Sequence, residues 1–356
     1  MITISLCLIV KDEEEVIGRC LESVQGIVDE INIVDTGSTD RTKEIVGQYT
    51  DRVFDFAWID DFAAARNFAF QQATREYILW LDADDVLKPE DQEKFRKLKK
   101  EIDSSIDAVS MSYHLGFDES GSVSSSSRRY RLVKRDRNFQ WIGAVHEYLA
   151  VYGKLIDSDV AITHQPISHD ANRNITIYEG MIAAGKEFTA RDYYYYANEL
   201  VDHGQYEKAI QTYIRFLDTK KGWVEDNIRA CYQLADCYSH LKIKEKELEW
   251  VLQSLRYDAP RSETCCRLGY YFFEQNQFQA AIYWYEQAIQ CKDHGSMAIQ
   301  NNNCSTWLPH LQLCVCYDRI GQHERASEHN ELAGQYRPND PSIIANRKYL
   351  DNILNK

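Results

Sequence analysis

Nothing in this 356-residue sequence is long and apolar enough to cross a bilayer. The opening apolar stretch, Ile2 to Val10, is too short for a span and lacks the basic leader of a signal peptide, so it reads as a strand. Positive charge is in deficit: 41 Lys and Arg against 55 Asp and Glu leave a formal charge of −14. That balance argues against nucleic acid and anionic membrane surfaces and favours cationic peptides. There are ten cysteines but no C-x-x-C pair. All but Cys7 and Cys20 lie in the second half, where Cys231, Cys265 and Cys314 occupy positions suited to small core residues. Free thiols in a reducing cytosol account for them, and zinc does not. The expectation is a cytoplasmic protein with no integral membrane segment. Its length and 44% hydrophobic content suffice for two cores.

The richest feature is the tetrad Asp82-Ala83-Asp84-Asp85, which closes the apolar run Tyr77-Ile78-Leu79-Trp80-Leu81. Taken alone, such a tetrad reads as a strand-end turn capping the next helix, but its surroundings reverse that. Ile4 to Val10 is a first strand, followed by helical spacing at Val16, Ile17, Cys20, Leu21 and Val24. Glu30 to Val34 is a second strand, ending in Asp35-Thr36-Gly37-Ser38-Thr39-Asp40, a turn rich in helix N-caps. Arg52 to Phe56 is a third, ahead of an alanine-rich helix carrying Arg66 and Asn67. Strands alternating with short helices imply a largely parallel, doubly wound α/β sheet. Such sheets bind ligands at the carboxyl ends of their strands. Asp12, Asp35 and Asp82 gather there, and their repulsion needs a cation or a hydrogen-bonding ligand to offset it. Clustered carboxylates suit a hard divalent cation, Mg²⁺ or Mn²⁺, able to hold a diphosphate.

Four runs together carry a resemblance: Leu8-Ile9-Val10-Lys11-Asp12-Glu13-Glu14, Val34 to Asp40, Ala65-Arg66-Asn67, and Leu81 to Asp85. In order and spacing they resemble family-2 glycosyltransferases, GT-A fold enzymes that use nucleotide-activated sugars and invert the anomeric centre. Further on, Arg129-Tyr130-Arg131-Leu132, Trp141-Ile142-Gly143-Ala144-Val145-His146-Glu147 and Thr163-His164 extend the likeness to the subgroup of bacteriocin S-glycosyltransferases. That subgroup commonly carries Asn where this chain has Asp12. The resemblance implies a UDP-sugar donor, with Val10, Lys11 and Asp12 on the nucleobase and Asp35 accepting from the uracil. It places Arg66 and Ala83 by the nucleotide, Asp82 near the ribose and metal, and Asp84 on the metal. His164, ending the apolar run from Val160, is a third metal ligand or a diphosphate contact; His169, Arg173 and Asn174 are lesser candidates. Inversion needs a base opposite the leaving group. Glu147 is the candidate, with His146 either orienting it or acting as the base itself.

Asp118 to Ser127, low in hydrophobicity and rich in serine, reads as a mobile loop and as a flap near the acceptor site. Beyond residue 185 the periodicity becomes helical, with a repeat at Gly204-Gln205-Tyr206, Lys242-Ile243-Lys244, Asn276-Gln277-Phe278 and Gly321-Gln322-His323. These copies start 38, 34 and 45 residues apart, the longest interval holding an insert around Lys292 to Ser305. They resemble tetratricopeptide repeats, which stack into a solenoid with a concave face. The expected layout is a GT-A domain over residues 1–185 and a repeat domain over 186–356. Three functions remain open: sugar transfer to a peptide or protein side chain (Cys or Ser/Thr) held partly by the repeats, transfer to a cell-surface or lipid-linked glycan, and a non-catalytic scaffold.

Overall fold

The computed structural model describes residues 1–117, 123–167, 171–291 and 301–355. They fall into two compact units, Met1–Glu187 and the helices from Phe188 onward.

In the first unit, apolar runs become the strands β1 (Ile4–Val10), β2 (Glu30–Asp35), β3 (Val53–Asp55) and β4 (Tyr77–Trp80), which pair in parallel in the order β3-β2-β1-β4. Between them run the helices α1 (Ile17–Ser23), α2 (Thr42–Val46) and α3 (Phe62–Gln71). Asp61 caps α3 by accepting the Ala64 N–H at 2.9 Å. The short strand β5 (Asp85–Val86) and helix α4 (Pro89–Glu101) follow. The sheet continues as β7 (Val123–Lys134), β6 (Ala108–Phe117) and β10 (Leu155–His164), with β5 on its edge, making eight strands. β8 (Gln140–Ile142) and β9 (Tyr148–Ala150) form a separate ribbon, and α5 (Arg173–Ala183) ends the unit. The parallel half is α/β, while antiparallel pairings of β4 with β7 and β7 with β6 make the sheet mixed. Strand β4 is buried throughout and β1 nearly so, as strands covered on both faces must be.

One expectation is overturned. Val123 to Ser127 are not loop but the first part of β7, paired with β6 at Phe117↔Val123, Gly116↔Ser125, His114↔Ser126 and Tyr113↔Ser127. Backbone ladder bonds hold a strand without apolar side chains, so a serine run can extend a hairpin. Residues 118–122 of that stretch, with His169 and residues 292–300 of the repeat insert, lie outside the described residues.

The second unit is all helix: α6 (Ala190–Asp202), α7 (Tyr206–Asp218), α8 (Val224–His240), α9 (Lys244–Gln253), α10 (Ser262–Glu274), α11 (Phe278–Gln290), α12 (Trp307–Arg319), α13 (His323–Tyr336) and α14 (Pro341–Leu354). Four helical hairpins turn at the repeated motif. Gly204, Lys242, Asn276 and Gly321 each have a left-handed backbone, with φ of 67°, 62°, 58° and 74°. In each turn the next residue's N–H bonds the carbonyl five positions back: Gln205 to Leu200, Ile243 to Tyr238, Gln277 to Phe272, Gln322 to Tyr317. This is the Schellman closure of a helix, and it explains why the repeat shows best at its turn. Among the described residues no helix is long and apolar enough to cross a membrane.

Candidate active site

The first two strand ends are stitched to each other. Val10 and Asp35 are in register, and the Val10 carbonyl accepts from the Thr36 N–H at 2.9 Å. Asp12, at a left-handed φ of 54°, donates its N–H to Ser38 Oγ at 3.0 Å and accepts the Thr39 N–H at 2.7 Å. Lys11 is exposed beside it. Asp35 is only 1% exposed, and its carboxylate accepts from the Gly37 and Ser38 amides at 3.1–3.2 Å and faces Lys43 Nζ at 3.2 Å. Burial pushes the Asp35 carboxyl up, but these bonds outweigh it and hold it below the usual range. Asp35 therefore braces its own turn where β2 ends.

Arg66, on α3, joins the motifs that sequence alone could only place in order. Its Nε donates to Glu147 Oε1 at 2.5 Å and its NH2 to Asp82 Oδ1 at 2.6 Å. The guanidinium lies 4.8 Å from the Trp141 ring centroid and 5.1 Å from that of Trp80. Each charge-assisted bond contributes about 1.5–3 kcal/mol, so the bridge fixes both carboxylates firmly. The next residue, Asn67, clamps β8: its Oδ1 accepts the Trp141 N–H at 2.8 Å and its Nδ2 donates to the Trp141 carbonyl at 3.0 Å. The Arg-Asn pair of α3 thus sets the position of the turn carrying Glu147. His146, on that turn, has a left-handed φ of 50°, a strained conformation of the kind concentrated at functional sites.

Beyond Asp82 the chain turns into β5, which pairs antiparallel with β10 so that Asp85 lies opposite His164. His164 Nδ1 lies 2.9 Å from Tyr113 Oη, 3.3 Å from Asp84 Oδ1 and 3.4 Å from Asp85 Oδ1. Ligand atoms of Asp84, Asp85 and His164 all fall within 4.8 Å of one another, the only such group of three among the described residues. Burial pulls the His164 imidazole down, but the two carboxylates overcome it and push the pKa up to about 10. A proton there occupies the role a cation could take. The two carboxylates fit a hard divalent cation such as Mn²⁺ or Mg²⁺, the imidazole being a less usual ligand for such ions, and the buried Asp85 Oδ1 accepts no hydrogen bond, as a reserved ligand atom would not.

The structure brings together Arg66, Asp82, Glu147, Asp84 and His164, with Ala83 buried between the acids. It sets Asp82 against Arg66 and Arg131 and puts Asp85 in the three-ligand group instead. Asp85, Arg131 and Glu13 were not singled out from sequence. Asp85 was visible as the last tetrad acid, Arg131 within the run Arg129 to Leu132, and Glu13 within the run Leu8 to Glu14. Burial, followed by Asp84, pushes the Glu13 carboxyl up to about 7, which shows how crowded with negative charge this strand end is. Burial likewise pushes Asp82 up, but Arg66 and then Arg131 pull its carboxyl well below the usual range.

The second unit contains a cavity of about 330 Å³ lined by Asp236, Glu247, Glu263, Arg267, Tyr270 and Tyr271 among others. Its arginine is already engaged, with Arg267 donating to Asp236 at 2.5 Å and to Glu263 at 3.0 Å.

Acids gathered at the carboxyl ends of a parallel sheet and cross-braced by buried arginines mark a candidate ligand site on an α/β domain, and helical hairpins follow that domain in sequence. Residues 5–160 match the family model described as glycosyl transferase family 2. The first unit is a family-2 glycosyltransferase domain, and the second is a tetratricopeptide-like helical region. A TPR repeat-containing protein of Synechococcus elongatus is 30% identical over 298 residues, 82% of this chain and 66% of that one. The SPbeta prophage-derived glycosyltransferase SunS of Bacillus subtilis is 26% identical over 238 residues, 61% of this chain and 56% of that one. Among solved structures, YrrB, "a TPR protein with an unusual peptide-binding site", aligns at a TM-score of 0.38 and 16% identity over 50% of this chain and 84% of its own. The chain spans between about half and two thirds of the length of these curated relatives.

Proposed function

We propose that the chain transfers a sugar from a UDP-sugar to a nucleophilic side chain (Cys or Ser/Thr) of a peptide or protein, with inversion and with a divalent cation. The observation that carries this is the Arg66 bridge, which ties Glu147 to Asp82, the acid two residues before Asp84 of the Asp84, Asp85 and His164 group. Asp84 and His164, with Asp85, would hold Mn²⁺ or Mg²⁺, which neutralises charge on a leaving diphosphate when bound. Glu147 accepts the acceptor's proton as its S or O attacks the anomeric carbon, with His146 as the neighbouring alternative. Val10, Lys11, Asp12 and Asp35 form the shelf on which the nucleoside rests.

A peptide acceptor is supported by the resemblance to the bacteriocin S-glycosyltransferases and by the net charge of −14, which favours a cationic partner. The acid- and tyrosine-lined cavity of the repeats suits part of such a peptide. The test is a panel of nucleotide sugars incubated with the full chain with and without Mn²⁺, reading release of the nucleoside diphosphate. Mn²⁺-dependent release from one UDP-sugar, accelerated by basic peptides containing Cys or Ser, is the expected result. Release from no donor at all, by protein shown to be folded, would sink the reading.

A further inference from the structure

Arg131, on β7, is fully buried and lies in the middle of the site. Its guanidinium is stacked between two rings, 3.8 Å from the Trp80 centroid and 4.4 Å from that of Tyr113. Along its edge NH2 is 3.0 Å from Asp85 Oδ2, and NH1 is 3.6 Å from Asp82 Oδ2. Asp85 is equally buried, and its Oδ2 also accepts the Asp82 N–H at 3.0 Å. One oxygen of Asp85 therefore accepts the Asp82 N–H and lies against the Arg131 charge. The other, Oδ1, is buried, accepts no hydrogen bond and lies 3.4 Å from His164 Nδ1, on the side of Asp84. Asp82 is placed otherwise: Arg66 takes Oδ1 at 2.6 Å and Arg131 faces Oδ2, so both of its oxygens look at guanidinium groups.

We propose that Arg131 is a positioning residue of the cation site: by holding Asp85 through Oδ2, it aims Oδ1 at the cation and makes Asp85, rather than Asp82, the third protein donor. The inference rests on the cation reading above. Two features of arginine suit it to the task. Its planar guanidinium faces two carboxylates along one edge, Asp85 through NH2 and Asp82 through NH1, and its flat face stacks on aromatic rings, so Trp80 and Tyr113 hold it with little freedom. Its charge also offsets one of the clustered acids. An isolated buried ion pair would explain the Arg131–Asp85 contact as scaffolding alone. It does not explain why Oδ1, buried and without a hydrogen bond, faces His164 Nδ1 at 3.4 Å in the group that also holds Asp84.

The experiment reads Mn²⁺ affinity directly, from the loss of the free-ion electron paramagnetic resonance signal on titrating the full chain, alone and with UDP. Arg131→Lys keeps the charge and removes the fork. It is expected to weaken Mn²⁺ binding by about 10–100-fold, the usual effect of losing an outer-shell partner, at a temperature where circular dichroism shows the protein folded. Asp85→Asn, which keeps the side-chain size, is expected to weaken binding on the same scale. The double variant should lose no more than the worse single one, because the two residues act as a unit. Wild-type affinity in folded Arg131→Lys, or additive losses in the double variant, overturns the proposal. Should Arg131→Lys fail to fold, unchanged affinity in Asp85→Asn overturns it instead. A wild-type chain that binds no Mn²⁺ under either condition overturns the cation reading along with it.

Discussion

Replacing Glu147 by Gln separates a proton acceptor from a structural carboxylate. Gln keeps the length of the side chain, and its carbonyl oxygen can still accept from Arg66 Nε, which now reaches Glu147 at 2.5 Å. What is lost is the charge on that bond, while Asp82 continues to pair with Arg66 at 2.6 Å. An ion pair becomes a hydrogen bond from a charged donor to a neutral acceptor, at a cost of about 1–2 kcal/mol. For a unit of this size that lowers the melting temperature by roughly 2–8 °C. Transfer, in contrast, should fall by about 10²–10⁴-fold with a hydroxyl acceptor, the span attributed to a general base. The fall should be smaller with a cysteine acceptor, because a thiol of pKa about 8.5 is already partly ionised near neutral pH. Raising the pH should then rescue the thiol reaction more than the hydroxyl one. The assay is initial-rate transfer at saturating UDP-sugar to matched Cys and Ser peptides, alongside UDP affinity and thermal unfolding. UDP affinity should hold, since the base lies on the acceptor side. Unchanged transfer to both peptides would remove Glu147 from the chemistry and pass the role to His146 or to the acceptor's own ionisation.

Asp84→Ala is expected to abolish Mn²⁺-dependent turnover with little effect on folding, since the side chain is a partly exposed member of the ligand group; full activity in Mn²⁺ would refute the assignment. Gly269→Ala places a Cβ 2.8 Å from the Tyr285 ring in the packed α10–α11 hairpin, and should destabilise the repeats by about 1–3 kcal/mol, read as a lower urea midpoint of the helical signal. His329 shows a pH effect: burial, then His310 and Arg325, pulls its pKa down to about 4, with Glu286 opposing. A histidine depressed on folding contributes stability that is present above about pH 6.5 and lost as pH falls through about 4, here worth of order 1–3 kcal/mol. His329→Gln should therefore show a shallower fall in urea midpoint between pH 7 and pH 4 than the wild type, and parallel curves would count against it.

The sequence by itself determined whatever depends on neighbours a few residues apart. The apolar runs of β1, β2 and β4 and the acids closing them are local patterns, because burial on both faces of a strand demands them. So are the left-handed turns at Gly204, Lys242, Asn276 and Gly321, where one residue must leave the helix and the chain reverses. Even the serine strand of β7 misled only because its partner, β6, supplies backbone bonds that no composition reveals. What only the tertiary structure decided is which acid faces which cation. Arg66 meets Glu147 across 81 positions of sequence, and Arg131 meets Asp85 because the sheet sets β7 beside β4 and joins β5 to the far edge through β10. Four acids of one sign crowd the same strand end, and spacing along the chain cannot tell a carboxylate neutralised by a buried arginine from one held open for a metal. Their energies differ through burial and through partners distant in sequence, and the order of the strands fixes both.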